Sequence, residues 1–443
     1  MNAEVTTIKT AAETALATAF NQARAQLPGD NAVAAQRKAA FDLFAKEGLP
    51  HRRVEDWKYT DLRALMRDAK PLASPPDAAA KARAKTGGKL LGDVEARRLV
   101  FVDGAFVPEL SDLAGQEAGL SIGSLADALI GGDATVAAHL GKVAPAGDVA
   151  VALNTALMGD GAVIRVAAGA TIGRPLHLLF VAADKPAATF TRSLVVVGEG
   201  ARVMLIESHE GPPGSDYQVN AAVELVVGER AHVDHVKIIG EGAQALHVST
   251  LAAAVGAKAR FNTFTFTIGG AVVRNQMFLN LDGEETVAGI RGATLIKGQQ
   301  HADTTLVVNH IARSCQSREV FKTVLDGEAH GVFQGRIIVR HGAQKTDAKM
   351  MTQALLLSDR AEADNKPELE IYADDVQCGH GATAGALDDE LKFYLMARGI
   401  PAAEAEALLI QAFLGEAIEG IEHAGLREAL MDQVAEWLKA RGS

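Results

Sequence analysis

The sequence predicts a mainly β protein, a β-solenoid flanked by N-terminal and C-terminal α-helical regions. Three observations carry that reading. First, Val197-Gly198-Glu199-Gly200-Ala201 recurs as Val227-Gly228-Glu229-Arg230-Ala231 and as Val255-Gly256-Ala257-Lys258-Ala259, with the first glycines 30 and 28 residues apart. Each copy follows an aliphatic run and precedes another short strand. A period near 30 residues of strand, glycine turn and strand marks stacked repeats. Second, the composition is 48% hydrophobic but only 5% aromatic, with 43 glycines in 443 residues. A narrow coil favours ladders of Val, Leu and Ile inside and small residues at its corners. Third, apolar stripes at helical spacing are confined to the two ends of the chain.

Taken in order, residues 1–95 read as an N-terminal helical domain and linker. The stretch 1–27 lacks the basic-flanked apolar core of a cleavable leader. Asn31 can cap a helix carrying Val33, Arg37, Ala40, Phe41 and Phe44, which Gly48 and Pro50 would end. Arg52-Arg53-Val54-Glu55-Asp56-Trp57-Lys58-Tyr59-Thr60 then gathers an aromatic pair and mixed charges, and is read first as a helix docked by one tryptophan. Residues 71–89, with Pro71, Pro75, Pro76, Gly87 and Gly88, read as a linker. Residues 96–383 form the solenoid core, with the clearest repeats over 150–350 and weaker turns at Gly169 and Gly283. Residues 384–443 form the C-terminal helical domain. There Asp388 can cap a helix bearing Leu391, Tyr394 and Leu395, which Gly399 closes. Pro401 suits the first turn of the next helix, whose stripe is Ala405, Leu408, Leu409, Ala412, Phe413 and Ile418. Gly425 breaks it, and a last helix carries Leu426, Leu430, Val434, Trp437 and Leu438. Such extensive apolar faces must pack on one another, on the solenoid end, or on a partner.

Composition narrows the function. Two cysteines exclude a disulfide-built secreted scaffold and fit a reducing, cytoplasmic setting. A net charge of −11 disfavours general nucleic-acid binding. No apolar run approaches the roughly 20 residues needed to cross a bilayer. There is no Gly-x-x-x-x-Gly-Lys-Ser/Thr phosphate loop. Gly198-x-Gly200 lacks the third glycine and the strand-to-helix setting of a dinucleotide site. His232 and His235, three apart on a strand, point to opposite faces, so they are read as surface or solvated histidines rather than joint metal ligands. The best chemical candidate is Asp374-Asp375-Val376-Gln377-Cys378-Gly379-His380-Gly381-Ala382-Thr383, after the strand-like Leu369-Glu370-Ile371. In an extended chain Cys378 and His380 point to one side, and thiolate with imidazole suits iron or zinc. The plain alternative is a solenoid-to-helix junction with a buried thiol and a hydrogen-bonded histidine. Clusters are held by about four ligands, mostly cysteine. Cys315 and Cys378 cannot supply them alone, so a cluster would need ligands from a second chain.

The segment Arg53-x-Glu55-Asp56-Trp57-Lys58-Tyr59-Thr60 resembles an N-terminal signature of the SufB/SufD family of the SUF iron–sulfur cluster assembly system. The C-terminal half is similar to that family throughout. It includes Val332-Phe333-Gln334-Gly335-Arg336-Ile337, Ala343-Gln344-Lys345-Thr346-Asp347-Ala348, Leu355-Leu356-Leu357-Ser358, Pro367-Glu368-Leu369-Glu370-Ile371, His380-Gly381-Ala382-Thr383, Phe393-Tyr394-Leu395 and Arg398-Gly399-Ile400. The resemblance covers nearly the whole chain and is weakest over 67–150. The SufB branch reads His-Glu-Ala-Thr at 380–383 and has a functional cysteine near Thr352-Gln353; this chain has neither, and resembles the SufD-like branch.

The resemblance implies a right-handed parallel β-helix and a non-catalytic scaffold that pairs with SufB as a heterodimer. It further implies that the C-terminal helices dock the SufC ATPase, with Phe393, Tyr394, Arg398 and Phe413 near the contact. The family assigns a cluster-assembly role at the SufB interface to the histidine matching His380, with Cys378 at a neighbouring position. No cofactor would be held stably by this chain alone; a transient Fe–S cluster would form in the complex. A homodimer of the isolated chain is compatible with an uncovered β-helix interface. The competing readings are a purely structural partner subunit without a cluster ligand, and a β-helix enzyme acting on polysaccharides. The second lacks aromatic platforms, since Trp57 and Trp437 both lie in the helical flanks.

Overall fold

The computed structural model describes residues 9–92, 94–182 and 184–441. The first eight residues of the stretch read for a leader, and the last two of the C-terminal region, lie outside them. Its centre is a parallel β-solenoid whose strands form one sheet of ten and one of nine. Successive solenoid strands alternate between the sheets, so the hydrogen-bonded neighbours of each strand belong to adjacent coils. Gln218–Val227 lies between Ala188–Val197 and Leu246–Val255, with Val197, Val227 and Val255 in register. Residues aligned by the sequence repeat therefore stack in space. Val195, Leu225, Ala253, Leu279, Val308 and Ile337 form one such inward ladder, all buried in a continuous core. Each large member contributes roughly 1.5–3 kcal/mol by leaving water.

The corners explain the glycine signal. Residues with left-handed backbone recur at Gly169, Gly200, Arg230, Lys258, Glu285, Ser314 and Lys345, between 27 and 31 residues apart. The weaker turns near Gly169 and Gly283 belong to this series. At Gly283 the coils approach so closely that an added Cβ would stand 1.8 Å from the Ala257 amide nitrogen. Gly283→Ala should therefore cost about 1–3 kcal/mol through forced separation of two coils. Denaturant unfolding reads this directly, and an unchanged midpoint would mean the corner has slack.

The two solenoid ends differ. At the N-terminal end Ala105–Phe106 pairs antiparallel with Arg97–Val102, and Leu120–Ser124 pairs antiparallel with Ala162–Val166. Phe106 and Leu113 pack there against the core. The other end stops on Glu362–Ile371 and Gln377–Gly385, each hydrogen-bonded to a strand on one side only. Pro367, which cannot donate to a ladder, is tolerated in such an edge strand.

Helices Leu125–Ile130, Ala134–His139 and Val149–Leu157 interrupt the early coils. Buried Glu224 ties them down: its carboxylate pairs with Arg192 at 2.7 Å and accepts the amides of Gly141, Val143 and Ala144.

Several sequence expectations shift here. The helix Asn31–Glu47 is capped by Asp30, not Asn31, because the Asp30 carboxylate accepts from the Ala32 and Val33 amides; Gly48, at φ +76°, ends it as expected. The 71–89 linker contains a helix, Ala78–Ala84, seated through Ala80 and Ala84 on Val100 and Val102. Asp388 caps Asp389–Met396 as read. In Ala402–Ile418 the buried line is Ala405, Ile410, Leu414, Ala417 and Ile418, while Leu408 is 41% exposed. Gly425 sits inside the first turn of Ala424–Arg441, and the break falls just before that helix. These helices cover Ile206, Val236, Ile238, Phe264 and Phe266 on the outer flank of the ten-stranded sheet rather than the solenoid end. Among the described residues no helix is long and apolar enough to cross a membrane.

Candidate functional site

The Arg53–Thr60 signature is a clamp. Trp57 is buried, with the Arg274 guanidinium 4.3 Å from its ring centre. Arg274 also donates to the Asp56 carbonyl at 2.7 Å and pairs with buried Asp303. Thr60 donates to Asp303 and lies 2.9 Å from His301 Nε2. Arg336 and Lys366 reach Asp56 and Glu55 from neighbouring coils. The segment therefore staples the N-terminal helices to the outside of the nine-stranded sheet. Trp437 is buried too, so neither tryptophan offers a sugar platform.

Cys378 and His380 lie on the terminal strand Gln377–Gly385. Its register sets Cys378 beside Ala348 and His380 beside Met350, both buried in the solenoid core. The pair shares the face of the strand turned toward the coil interior, at the end where no further coil follows. Cys378 is half-buried and His380 exposed. Burial pushes the Cys378 thiol above its ordinary value, with the charges of Asp347 and Glu319 adding to it. Cys315 is fully buried elsewhere in the core, its thiol also raised by burial.

One residue that sequence reading missed lies below this pair. Glu319 stands two strands deeper in the register column of Met350 and His380. It is fully buried, and neither carboxylate oxygen finds a hydrogen-bond partner among the described residues. Burial raises its pKa from 4.5 to about 8. Folding thus favours the protonated form, and stability falls as pH climbs from about 4.5 to about 8. Glu319→Gln should therefore stabilise the protein on the order of 5 kcal/mol above pH 8 and little near pH 4.5. Equal gains at both pH values in urea titrations would contradict this.

The docking residues read from the sequence fall into two groups. Phe393 and Tyr394 are exposed on Asp389–Met396, with Arg398 stacked 3.4 Å from the Tyr394 ring centre. Phe413 is half-buried and lies under the Lys322 ammonium, 4.6 Å from its ring centre. Between them runs an open groove lined by Leu391, Leu409, Ala412 and Phe413, with Leu355 and residues 383–388 as its floor. His232 and His235 do face opposite ways. The expectation that both are solvated fails for His235, which is buried inside the coil with Nδ1 2.9 Å from Thr263 Oγ1.

Comparison with known proteins matches residues 180–413 to the SufBD core domain of SUF-system FeS cluster assembly, and residues 10–178 to the SufBD protein N-terminal region. An iron–sulfur cluster assembly SufBD family protein of Synechocystis is 32% identical over 92% of this chain and 91% of its own. The iron–sulfur cluster assembly protein SufD of Escherichia coli is 31% identical over 91% and 92%. The SufD of Bacillus subtilis is 26% identical over 65% and 66%.

Proposed function

The chain belongs to the SufBD family of iron–sulfur cluster assembly proteins, and from that premise we propose that it is a non-catalytic scaffold subunit. It pairs through its open solenoid end with a SufB-type partner and carries a SufC-type ATPase on its C-terminal helices. The observation that supports this most is the asymmetry of the solenoid. One end is closed by antiparallel strands, while the other leaves two free strand edges beside exposed Met351, Ile371 and Tyr372. Such edges invite a partner chain. Cys378 and His380 sit there, where a second chain could complete a ligand set that two cysteines cannot. Between the two, the raised thiol pKa makes Cys378 the poorer ligand, so His380 carries the assembly role.

The test is co-expression with SufB-type and SufC-type subunits, isolation of the complex, and measurement of iron and acid-labile sulfide. His380→Ala should lower both at least severalfold with the complex intact, and Cys378→Ser should lower them less. Parent-level iron and sulfide in His380→Ala would leave the chain a purely structural partner.

A further inference from the structure

Inside the coil, far from the open end, lies a polar cluster that the assembly reading does not use. Glu207 and His209 of the strand Arg202–Glu210, His235 and Lys237 of His232–Gly240, and His247 of Leu246–Val255 are all buried, as are Glu241 and Tyr217. Lys237 Nζ lies 3.0 Å from Glu207 Oε1, and His209 Nε2 lies 3.7 Å from Glu207 Oε2. Yet Glu207 Oε1 and Oε2, Lys237 Nζ, and Nε2 of His209, His235 and His247 have no aligned hydrogen-bond partner among the described residues. Six such atoms in one place are far from the norm for a protein interior, where buried polar groups are satisfied.

We propose that this cluster is a site for one divalent transition-metal ion, held by His209, His247 and Glu241 inside the solenoid. A ring nitrogen of each histidine and a Glu241 oxygen lie within 4.8 Å of one another. Shifts under about 1 Å would bring them to bond lengths of about 2.0–2.2 Å. Charge points the same way. Two buried carboxylates, those of Glu207 and Glu241, share this lumen with one ammonium, that of Lys237, and a cation would offset the excess acid.

The orienting contacts are also those of a metal site. Glu241 Oε1 stands 2.9 Å from His247 Nδ1, so Nδ1 is the ring nitrogen turned toward the ion, which would replace that hydrogen bond, while the other Glu241 oxygen is held by the Tyr217 hydroxyl. His209 is steadied by stacking on Phe180, ring centres 4.7 Å apart. Two imidazoles and a carboxylate select Zn(II), Fe(II), Co(II) or Mn(II) over Ca(II) or Mg(II). A small cavity lined by Asp103, Glu210, His209 and Glu241 borders the cluster. Five strand spacings, about 24 Å, separate His232–Gly240 from the strand of Cys378 and His380. The site is therefore independent of the proposed assembly site.

Co(II) titration of the full-length chain, stripped beforehand with a chelator, tests this. The wild-type chain should bind one equivalent, with visible bands of a nitrogen–oxygen ligand set and no thiolate charge-transfer band. A Cys378→Ser/His380→Ala variant should behave identically. His247→Gln and His209→Asn should each weaken binding by more than the 10–100-fold that loss of an orienting partner costs. If these variants fold poorly, the Cys378→Ser/His380→Ala chain decides alone, because Co(II) should raise its thermal midpoint. Absence of stoichiometric binding, a thiolate band, or undiminished affinity in both well-folded histidine variants would overturn the site.

Discussion

Asp303→Ala is expected to destabilise the protein by about 3–5 kcal/mol and to release the N-terminal segment from the solenoid. Asp303 is fully buried and is the anionic hub of the clamp. Arg274 pairs with it, and Thr60 and Thr305 donate to it, Thr305 at 3.1 Å. Removing the carboxylate leaves the Arg274 guanidinium buried with an uncompensated charge. It still lies over Trp57 and still donates to the Asp56 carbonyl. The cation–π contact is worth at most about 2 kcal/mol and cannot offset that loss. The effect should be local as well as global: residues 51–66 should become susceptible to limited proteolysis before the solenoid unfolds. Replacing both members, Arg274→Met with Asp303→Leu, should recover much of the loss, because the penalty comes from the orphaned charge. Should Asp303→Ala stay within about 1 kcal/mol of the parent in urea unfolding, the N-terminal helices are held by their apolar contacts and the clamp is decoration.

The solenoid was legible because its corners repeat, but only some of them show. Where glycine occupies or adjoins the left-handed position, as at 198–200, the motif stands out. Arg230, Lys258 and Glu285 still have a glycine two residues ahead, but at Ser314 and Lys345 alanine stands there, and the repeat fades from view although the coil continues. The lumen cluster was illegible for a different reason. In His235-Val236-Lys237-Ile238 the alternation suggests polar side chains outside and apolar ones inside. The strand is turned the other way, because the C-terminal helices bury Val236 and Ile238 on the outer face. Period-two patterning assigns faces only when one face meets water. The repeat register could have revealed the cluster, since it sets Glu207 beside Lys237. Likewise, a helix as uniformly apolar as Ala402–Ile418 does not fix its own phase: the stripe through Leu408 leaves open which side packs on the protein, and Leu408 lies outward while Ile410 and Leu414 are buried. The pairing of Cys378 with His380 on one face needed only strand spacing. Their position at an unfinished coil end needed the whole sheet order.

That outward phase leads to the second large effect. Phe393→Asp combined with Leu391→Asp should abolish co-purification of the SufC-type ATPase while leaving the chain folded. Phe393 is 72% exposed, and Leu391, Tyr394, Met396 and Leu408 are exposed beside it. Five large apolar side chains on two short helices exceed the scattered exposure that a solitary surface explains. An aromatic pair with a stacked arginine is the composition of an interface hot spot. Two introduced carboxylates would have to be desolvated against the partner, a loss of about 4 kcal/mol or more, roughly a thousandfold in affinity. Because these side chains already face water, the thermal midpoint of the isolated chain should hardly move. Phe413 is unsuitable for this purpose, since it also packs beneath Lys322, whose ammonium pairs with Glu416. Buried Leu414→Asp supplies the contrast, as it should unfold the C-terminal helices and lose the ATPase for that reason. On the proposed pairing through the solenoid end, association with a SufB-type partner should survive the Leu391/Phe393 change. If the ATPase still co-purifies at the parent level, the exposed face serves another contact and the docking surface must be sought elsewhere.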